Sequence, residues 1–517
     1  MKIKVIVIFT VLGMFVSSCY DDFLNQEPIT EVLTKDVFAD QQNIMTLMPG
    51  VYQPMRWEFN NAFGDSYCMT YIYTDVRSDD VIIENKYFQP HSHGFEDFVS
   101  LNSSNINVQG IWAKLFTGVA NANQIIQGLV VTDNVDPAFK KLYLSEARFL
   151  RAFYYFELVK VFGSVPLFGD QLVDVSNPEA VKRRPIGDVY AQIESDLIEA
   201  AAGLPEVQAE KYRATKGAAL GLLAKVYLFQ EKWQLAADAA QDVIDLGIYE
   251  LEENYGDNFK INNEFGKESI FEISYVNDIS GGNWNPSSQT SLSLQFFSPN
   301  FDPASVRGWS YNLTTPELLA AFNAEGDVER RDATIMQEGH VFDSPALTAA
   351  GKNPIPDGWF DEWINSPESG GLRYGDDFAY TLKYFLTPEE LAASSPGLQE
   401  STLNHKVLRY ADVLLILAEA TANGATGNGQ DAFDQVRERA GLSPKTLTLE
   451  NLKKERRLEL ATEYNRFHDL VRWGDAEQFL DGFVVGRDEY LPVPINDILL
   501  TGLDSHGEYI LSQNPGY

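Results

Sequence analysis

Aromatic residues stand in glycine-, proline- and asparagine-rich surroundings at Trp284, Trp309, Tyr311, Trp359, Trp363 and Tyr374, and again at Tyr87 and Phe88. Near them are the polar side chains of Arg77, Asp79, Asn85, Asn283 and Arg307. An exposed ring packs against the apolar C–H face of a sugar, while amides, carboxylates and guanidinium groups satisfy its hydroxyls. Ligand binding of that kind is the chemistry these residues could do. The alternative is that the rings pin long loops onto a scaffold, and the residues alone leave both readings open.

Catalytic sets are harder to find. No GxSxG, HExxH or phosphate-cradling glycine loop occurs. With 74 acidic residues in the chain, carboxylate pairs arise at any spacing by chance, so none argues for glycoside hydrolysis. The sequence therefore reads as a non-enzyme with no cofactor. His91 and His93, close to Glu96 and Asp97, have metal-ligating side chains. Without a second His/Cys cluster they read as a solvated polar turn, and no metal is assigned. In "KKERRLEL" and beyond, Glu455, Glu459 and Glu463 alternate with Arg456, Arg457 and Arg466 at separations that match along one helix. That predicts an ion-paired structural helix rather than a basic patch. Arg148 and Arg151 read as anchors of helix ends or carbonyls, Trp112 and Trp233 as core, and Cys68 as a small buried hydrophobe.

The elements that must position these residues are mostly helical. Asn107 to Val131, Lys141 to Phe162 and Arg183 to Leu204 carry apolar residues at helical spacing, with Gly163 and Pro166, or Gly203 and Pro205, as stops. From Arg213, Ala214, Ala218, Leu222 and Val226 repeat every four residues; after a short turn come Ala236, Ala240, Val243 and Ile244, ending at Gly247. This is a helical hairpin resembling a tetratricopeptide repeat. "HKVLRYADVLLILAEATANG" from His405 and "QDAFDQVRERAGL" predict a second pair, and Thr448 a cap for one more helix. Between about 249 and 403 the pattern breaks down, as it does over 58–106. Long irregular stretches in a compact domain are usually functional or disordered, and these are too aromatic for disorder. The expected architecture is mainly α with little β: a single domain over 19–517, its helical scaffold at about 19–248 and 404–517, with a loop-rich, aromatic-rich insert at about 249–403.

Charge narrows the partners. The chain carries a formal −34, a field that repels polyanions, so nucleic acid is excluded as a ligand. The N-terminus adds a compartment. Lys2 and Lys4 precede an apolar run from Val5 to Val16 that is too short for a spanning helix. Ser17 and Ser18 then lead to Cys19, and the layout resembles a bacterial lipobox. Residues 1–18 are expected to be a lipoprotein signal.

Several further stretches carry a resemblance: "DDFLNQEP", "RFLRAFYYFELVKVFGSVPL" from Arg148, "KGAALGLLAKVYLF" from Lys216, "RYADVLLILAEA" from Arg409, "VRERAGL" from Val436, "ERRLELATEYNRFHDLVRWG" from Glu455, "YLPVPIND" and the terminal "QNPGY". In this order, over nearly the whole chain, they resemble the SusD/RagB family. The resemblance implies an outer-membrane lipoprotein of Bacteroidetes facing the medium, anchored by lipid on Cys19, with Asp21 and Asp22 as a surface-export signal. It further implies an α-bundle of tetratricopeptide-like pairs that captures oligosaccharide or polysaccharide for a SusC-type TonB-dependent transporter. The other readings are an oligopeptide-capturing member of the family, a helical-repeat scaffold without ligand, and a lipoprotein hydrolase. One departure is "ILLTGLDSHGEYILSQNPGY", less regular than the family's usual run there; the loops match no particular ligand class.

Overall fold

The computed structural model describes residues 37–57, 69–83, 92–133, 135–170, 177–276, 313–358, 379–394 and 401–517. Its first scaffold helices are α1 (Gln41–Trp57), α2 (Met69–Tyr73), α3 (His93–Asp97), α4 (Ile106–Val131) and α5 (Pro137–Phe162). Next come α6 (Ile186–Gly203), α7 (Lys216–Phe229) and α8 (Trp233–Asp245). Local chemistry sets their ends. Asn105 caps α4 by accepting the backbone N–H of Asn107 at 2.9 Å, and Asp136 followed by Pro137 opens α5. Gly163 ends α5 at φ 69°, a left-handed conformation that suits glycine. The α4–α5 contact is close because Gly118 has no side chain: a Cβ there would run into the Tyr154 ring.

The scaffold continues with α13 (Tyr410–Ala422), α14 (Gly429–Arg439), α15 (Leu449–Glu459), α16 (Arg466–Arg472), α17 (Ala476–Phe479) and α18 (Ile495–Thr501). Successive helices from α4 to α8 pack on one another, then α8 packs on α13 and α13 on α14. Helices α7 and α13 are buried nearly all round. That explains sequences with little polar face, and one continuous core runs through both.

Everything between α8 and α13 is thus spliced into a row of neighbours that touch without it. This stretch is more regular than its sequence suggests. It holds β4 (Ser269–Ile273), β5 (Leu313–Thr314), α9 (Pro316–Glu325), α10 (Val328–Thr334), β6 (Ile335–Met336), α11 (Pro345–Ala349), β7 (Ala379–Thr381) and α12 (Pro388–Ser394). Leu313, Met336, Leu347, Tyr380 and Leu386 give it a small core of its own. The N-terminal irregular stretch likewise contributes α2, α3 and β1 (Val81–Ile82), while β2 (Val165–Pro166) and β3 (Arg183–Arg184) form a separate antiparallel pair between α5 and α6. His405 to Arg409 corrects the expected helix: these residues form β8, antiparallel to β4, and the helix starts at Tyr410. The alternating burial of a short β-rich run is hidden there because both faces are covered.

The "KKERRLEL" helix is ion-paired as expected, but mostly not along its own length. Lys454 and Glu450 form an intrahelical pair at 2.7 Å. The others reach across the fold. Glu455 pairs with Arg330 and Arg437, and Glu459 with Arg330, Arg409 and Arg439. Glu463 holds Arg409 and Lys383, while Arg456 holds Asp412 and Asp469. Most of these groups are fully buried. Arg148 and Arg151 pair with carboxylates, Glu199 and Asp196, and Arg151 also donates to the Asn123 amide carbonyl at 2.7 Å. Trp112 lies in the core and Trp233 packs against it.

Candidate ligand-binding surface

Strand register decides which of the strands that border the aromatic-bearing stretches lie side by side. A four-stranded antiparallel sheet has the order β1-β5-β7-β6. Ile82, near the end of β1, pairs with Leu313, the first residue of β5. The end of β1 and the start of β5 are thus neighbours. Beside the β4–β8 pair, the Tyr275 N–H donates to the Asn404 side chain at 3.0 Å. Ala379, the first residue of β7, pairs with Thr314. Val81–Ile82, Leu313–Thr314 and Ala379–Thr381, far apart in sequence, thus share one small sheet.

The segment leading into β1 is clamped to the scaffold. Asp79 accepts from Arg466 at 2.7 and 2.9 Å and pairs with Arg457 at 3.1 Å. Burial works against the Asp79 charge, but the two guanidinium groups win and hold its carboxyl below the ordinary range. Asp80 pairs with Arg457 at 2.6 Å. Arg77 is 1% exposed. Its guanidinium lies 4.1 Å from the Phe467 ring centroid and 5.2 Å from that of Phe98, and donates to the Asp488 carbonyl at 2.5 Å. Burial pulls its pKa down to about 10.

Two cavities adjoin this region. One, of about 190 Å³, is bordered by Tyr52, Met55, Arg56, Tyr212, Ile273 and Val276, where the chain leads into residues 58–68 and 277–312. Tyr52 and Tyr212 meet edge to face at 5.6 Å. The other, of about 60 Å³, lies among Lys160, Lys225, His405, Lys406, Glu463 and Tyr464. With liquid water at about 30 Å³ per molecule, that space suits water rather than a sugar ring.

His405 brings a pH response. Burial pulls its imidazole down to about 3, against the attraction of the Glu463 carboxylate; burial also holds His468 well below its ordinary value. In the unfolded chain both titrate at about 6.5. Below that pH the unfolded chain takes up protons that the folded one refuses. Stability is therefore full above about pH 6.5 and drains as pH falls toward 3, by up to about 1.4 kcal/mol per pH unit for each histidine. Glu264, which burial raises to about 7, works in the opposite direction over that range, so the His405 contribution is read by comparison: the urea midpoint of His405→Gln is expected to fall less between about pH 7 and 5 than that of the unmutated protein. An unaltered slope in the variant would show that His405 does not carry it.

Two family models match the chain. One, described as the SusD family, matches residues 267–492. The other, described as starch-binding and associating with the outer membrane, matches residues 22–228. The chain belongs to the SusD/RagB family. A SusD-like protein of Bacteroides ovatus is 29% identical over 500 residues, covering 92% of this chain and 83% of that protein. Among solved structures, a laminarin-binding SusD-like protein superposes with a TM-score of 0.74 at 28% identity, over 92% of this chain and 99% of the other. Surface glycan-binding protein A from Bacteroides fluxus gives 0.74 at 27%, over 92% and 100%.

Of the binding residues expected in this SusD/RagB member, only Arg77 and Asp79 fall within the described residues, and both are engaged with the scaffold. Tyr87, Phe88, Asn85, Asn283, Trp284, Arg307, Trp309, Tyr311, Trp359, Trp363 and Tyr374 lie outside them, as do Cys19, Asp21, Asp22, Cys68 and His91. The His93 ring is 3.3 Å from the Glu96 carboxylate. Among the described residues, no helix is long and apolar enough to cross a membrane. Sequence reasoning missed the Asp79–Asp80 clamp and the Tyr52–Tyr212 pair. The run of three aspartates around Arg77, with arginines displaced in "KKERRLEL", was a signal for the clamp; Tyr52 and Tyr212 sit in ordinary helical and polar sequence and gave none.

Proposed function

We propose that this chain is a surface-exposed, non-catalytic glycan-binding lipoprotein. It captures oligosaccharide or polysaccharide and passes it to a SusC-type TonB-dependent transporter. The observation that carries the reading is the likeness, at 28% identity over 92% of the chain, to a solved SusD-like protein that binds laminarin. The pairing of β1 with β5 and of β5 with β7, strands that border the aromatic-bearing stretches in sequence, supports it. Rings at Tyr87, Phe88, Trp284, Trp309, Tyr311, Trp359, Trp363 and Tyr374 supply the stacking faces, and Asn85, Asn283 and Arg307 the hydroxyl partners. Arg77 and Asp79 act behind them, by holding β1 in place. Lipid on Cys19 tethers the mature chain to the outer membrane, with Asp21 and Asp22 directing it to the outer face; the outer-membrane description of the matching family model agrees with this.

Calorimetry or affinity electrophoresis against a panel of laminarin, laminarihexaose, starch and other glycans tests the ligand. Saturable binding of at least one glycan, with no turnover, is expected. Binding of peptides alone would turn the reading to the oligopeptide-capturing member, and hydrolysis of a bound glycan would overturn the non-catalytic assignment.

A further inference from the structure

A separate groove opens among α9, α15 and the α16–α17 turn. It encloses about 530 Å³, within the roughly 300–1,000 Å³ typical of small-molecule sites. Ala321 and Ala324 leave space on one side, Leu449 and Leu458 form an apolar wall, and Trp473 and Phe479 line the other side. Phe479 is 44% exposed and Leu449 36%. Exposed apolar surface rimmed by polar groups marks an interaction site more often than chance.

We propose that this groove is a second carbohydrate site, taking a short neutral oligosaccharide; the proposal rests on the glycan reading above. Three observations select the ligand. The first is a fixed aromatic wall. Trp473 donates its indole N–H to Glu419 at 2.7 Å, with the Arg472 and Lys453 cations 4.7 and 5.1 Å from the ring. The indole is thus set before any ligand arrives, which lowers the ordering cost of binding. The second is charge. Lys453 is paired with Asp475 at 2.6 Å, Lys454 with Glu450 at 2.7 Å, Arg457 with Asp80 at 2.6 Å and Arg466 with Asp79 at 2.7 Å. Every cation of the groove already has a carboxylate, so an anionic ligand meets no unmatched positive charge. Paired donors and acceptors side by side do suit hydroxyls, which need both. The third is the wall itself, built from helices. It offers no sheet edge on which an extended peptide could add a strand. Arg457 and Arg466 belong to this groove and to the clamp on the segment leading into β1.

The test uses the full mature chain with laminarihexaose, maltohexaose and cellohexaose as probes. Hydrogen exchange of the unmutated protein is expected to show ligand protection over residues 449–479. The Trp284→Ala/Trp309→Ala variant is expected to retain weak binding that Phe479→Ala, added to it, weakens by about tenfold or more, equivalent to about 1.4 kcal/mol. Phe479 is exposed on a short helix, and a thermal melt of each variant verifies that it folds. Glycan binding without protection at 449–479, and with none left in the double variant, would overturn the groove site and leave the principal function standing. If no probe or panel glycan binds the unmutated protein, both readings fall together.

Discussion

Arg409→Ala is expected to prevent folding, or to lower stability by about 3–5 kcal/mol, the cost of leaving buried charge unmatched. Arg409 is 1% exposed. Its guanidinium pairs with Glu268, with Glu459 at 2.9 Å, and with Glu463 at 2.7 and 2.8 Å. Burial works against the charge on Glu463, and Arg409 with Lys383 overcomes it to hold that carboxyl below its ordinary value. Without Arg409 three buried carboxylates face one another with less compensation. A domain with a total stability of about 5–15 kcal/mol cannot absorb that easily. Lysine is a poor substitute, because a single ammonium cannot form the planar fork. Secreted yield and a urea titration measure the effect. Pairing Arg409→Met with Glu463→Gln should recover part of the loss. An Arg409→Ala midpoint close to that of the unmutated protein would show that the network is not needed for folding.

Trp284→Ala with Trp309→Ala is expected to weaken glycan binding by roughly a hundredfold or more, the size of losing two aromatic anchors. The same variant distinguishes the two roles left open by the sequence. Rings that stack on sugar should be lost from affinity alone, with little change in the urea midpoint. Rings that pin their loops should lower the midpoint and leave binding largely intact. Calorimetry and denaturation on one preparation separate the outcomes, and the second pattern would remove both residues from the site.

The helical scaffold was legible because its signals are local. Alanine and leucine recur within one or two turns, and Asn105, Asp136, Thr215 and Thr448 cap the helices they precede. What stayed hidden is non-local. The acidic residues of "KKERRLEL" have partners such as Arg330 and Arg409 that helical spacing cannot point to. The two-residue strands β1 and β5 are too short for alternation to show, and their pairing joins residues more than two hundred positions apart. For the site, composition could mark aromatic stretches as unusual but not say that the strands bordering them pair. Register supplied that. Arg77 and Asp79 read in the sequence as polar partners of a ligand; burial of Arg77 between Phe98 and Phe467, and pairing of Asp79 with Arg466, depend on contacts with residues far away in the chain.

The direct packing of α8 on α13 has an evolutionary side. Because α8 and α13 touch directly, the parts of 249–403 away from Glu268, Arg330 and Lys383, which are tied into the buried ion network, can change in length while the helices keep their seams. Loop-closure entropy rises only slowly with length, so long insertions there cost little. Its own small core lets it keep a shape while it diverges. Such a layout behaves as a cassette held by fixed pins: one chassis can be refitted for a different ligand by rewriting what lies between those anchoring residues.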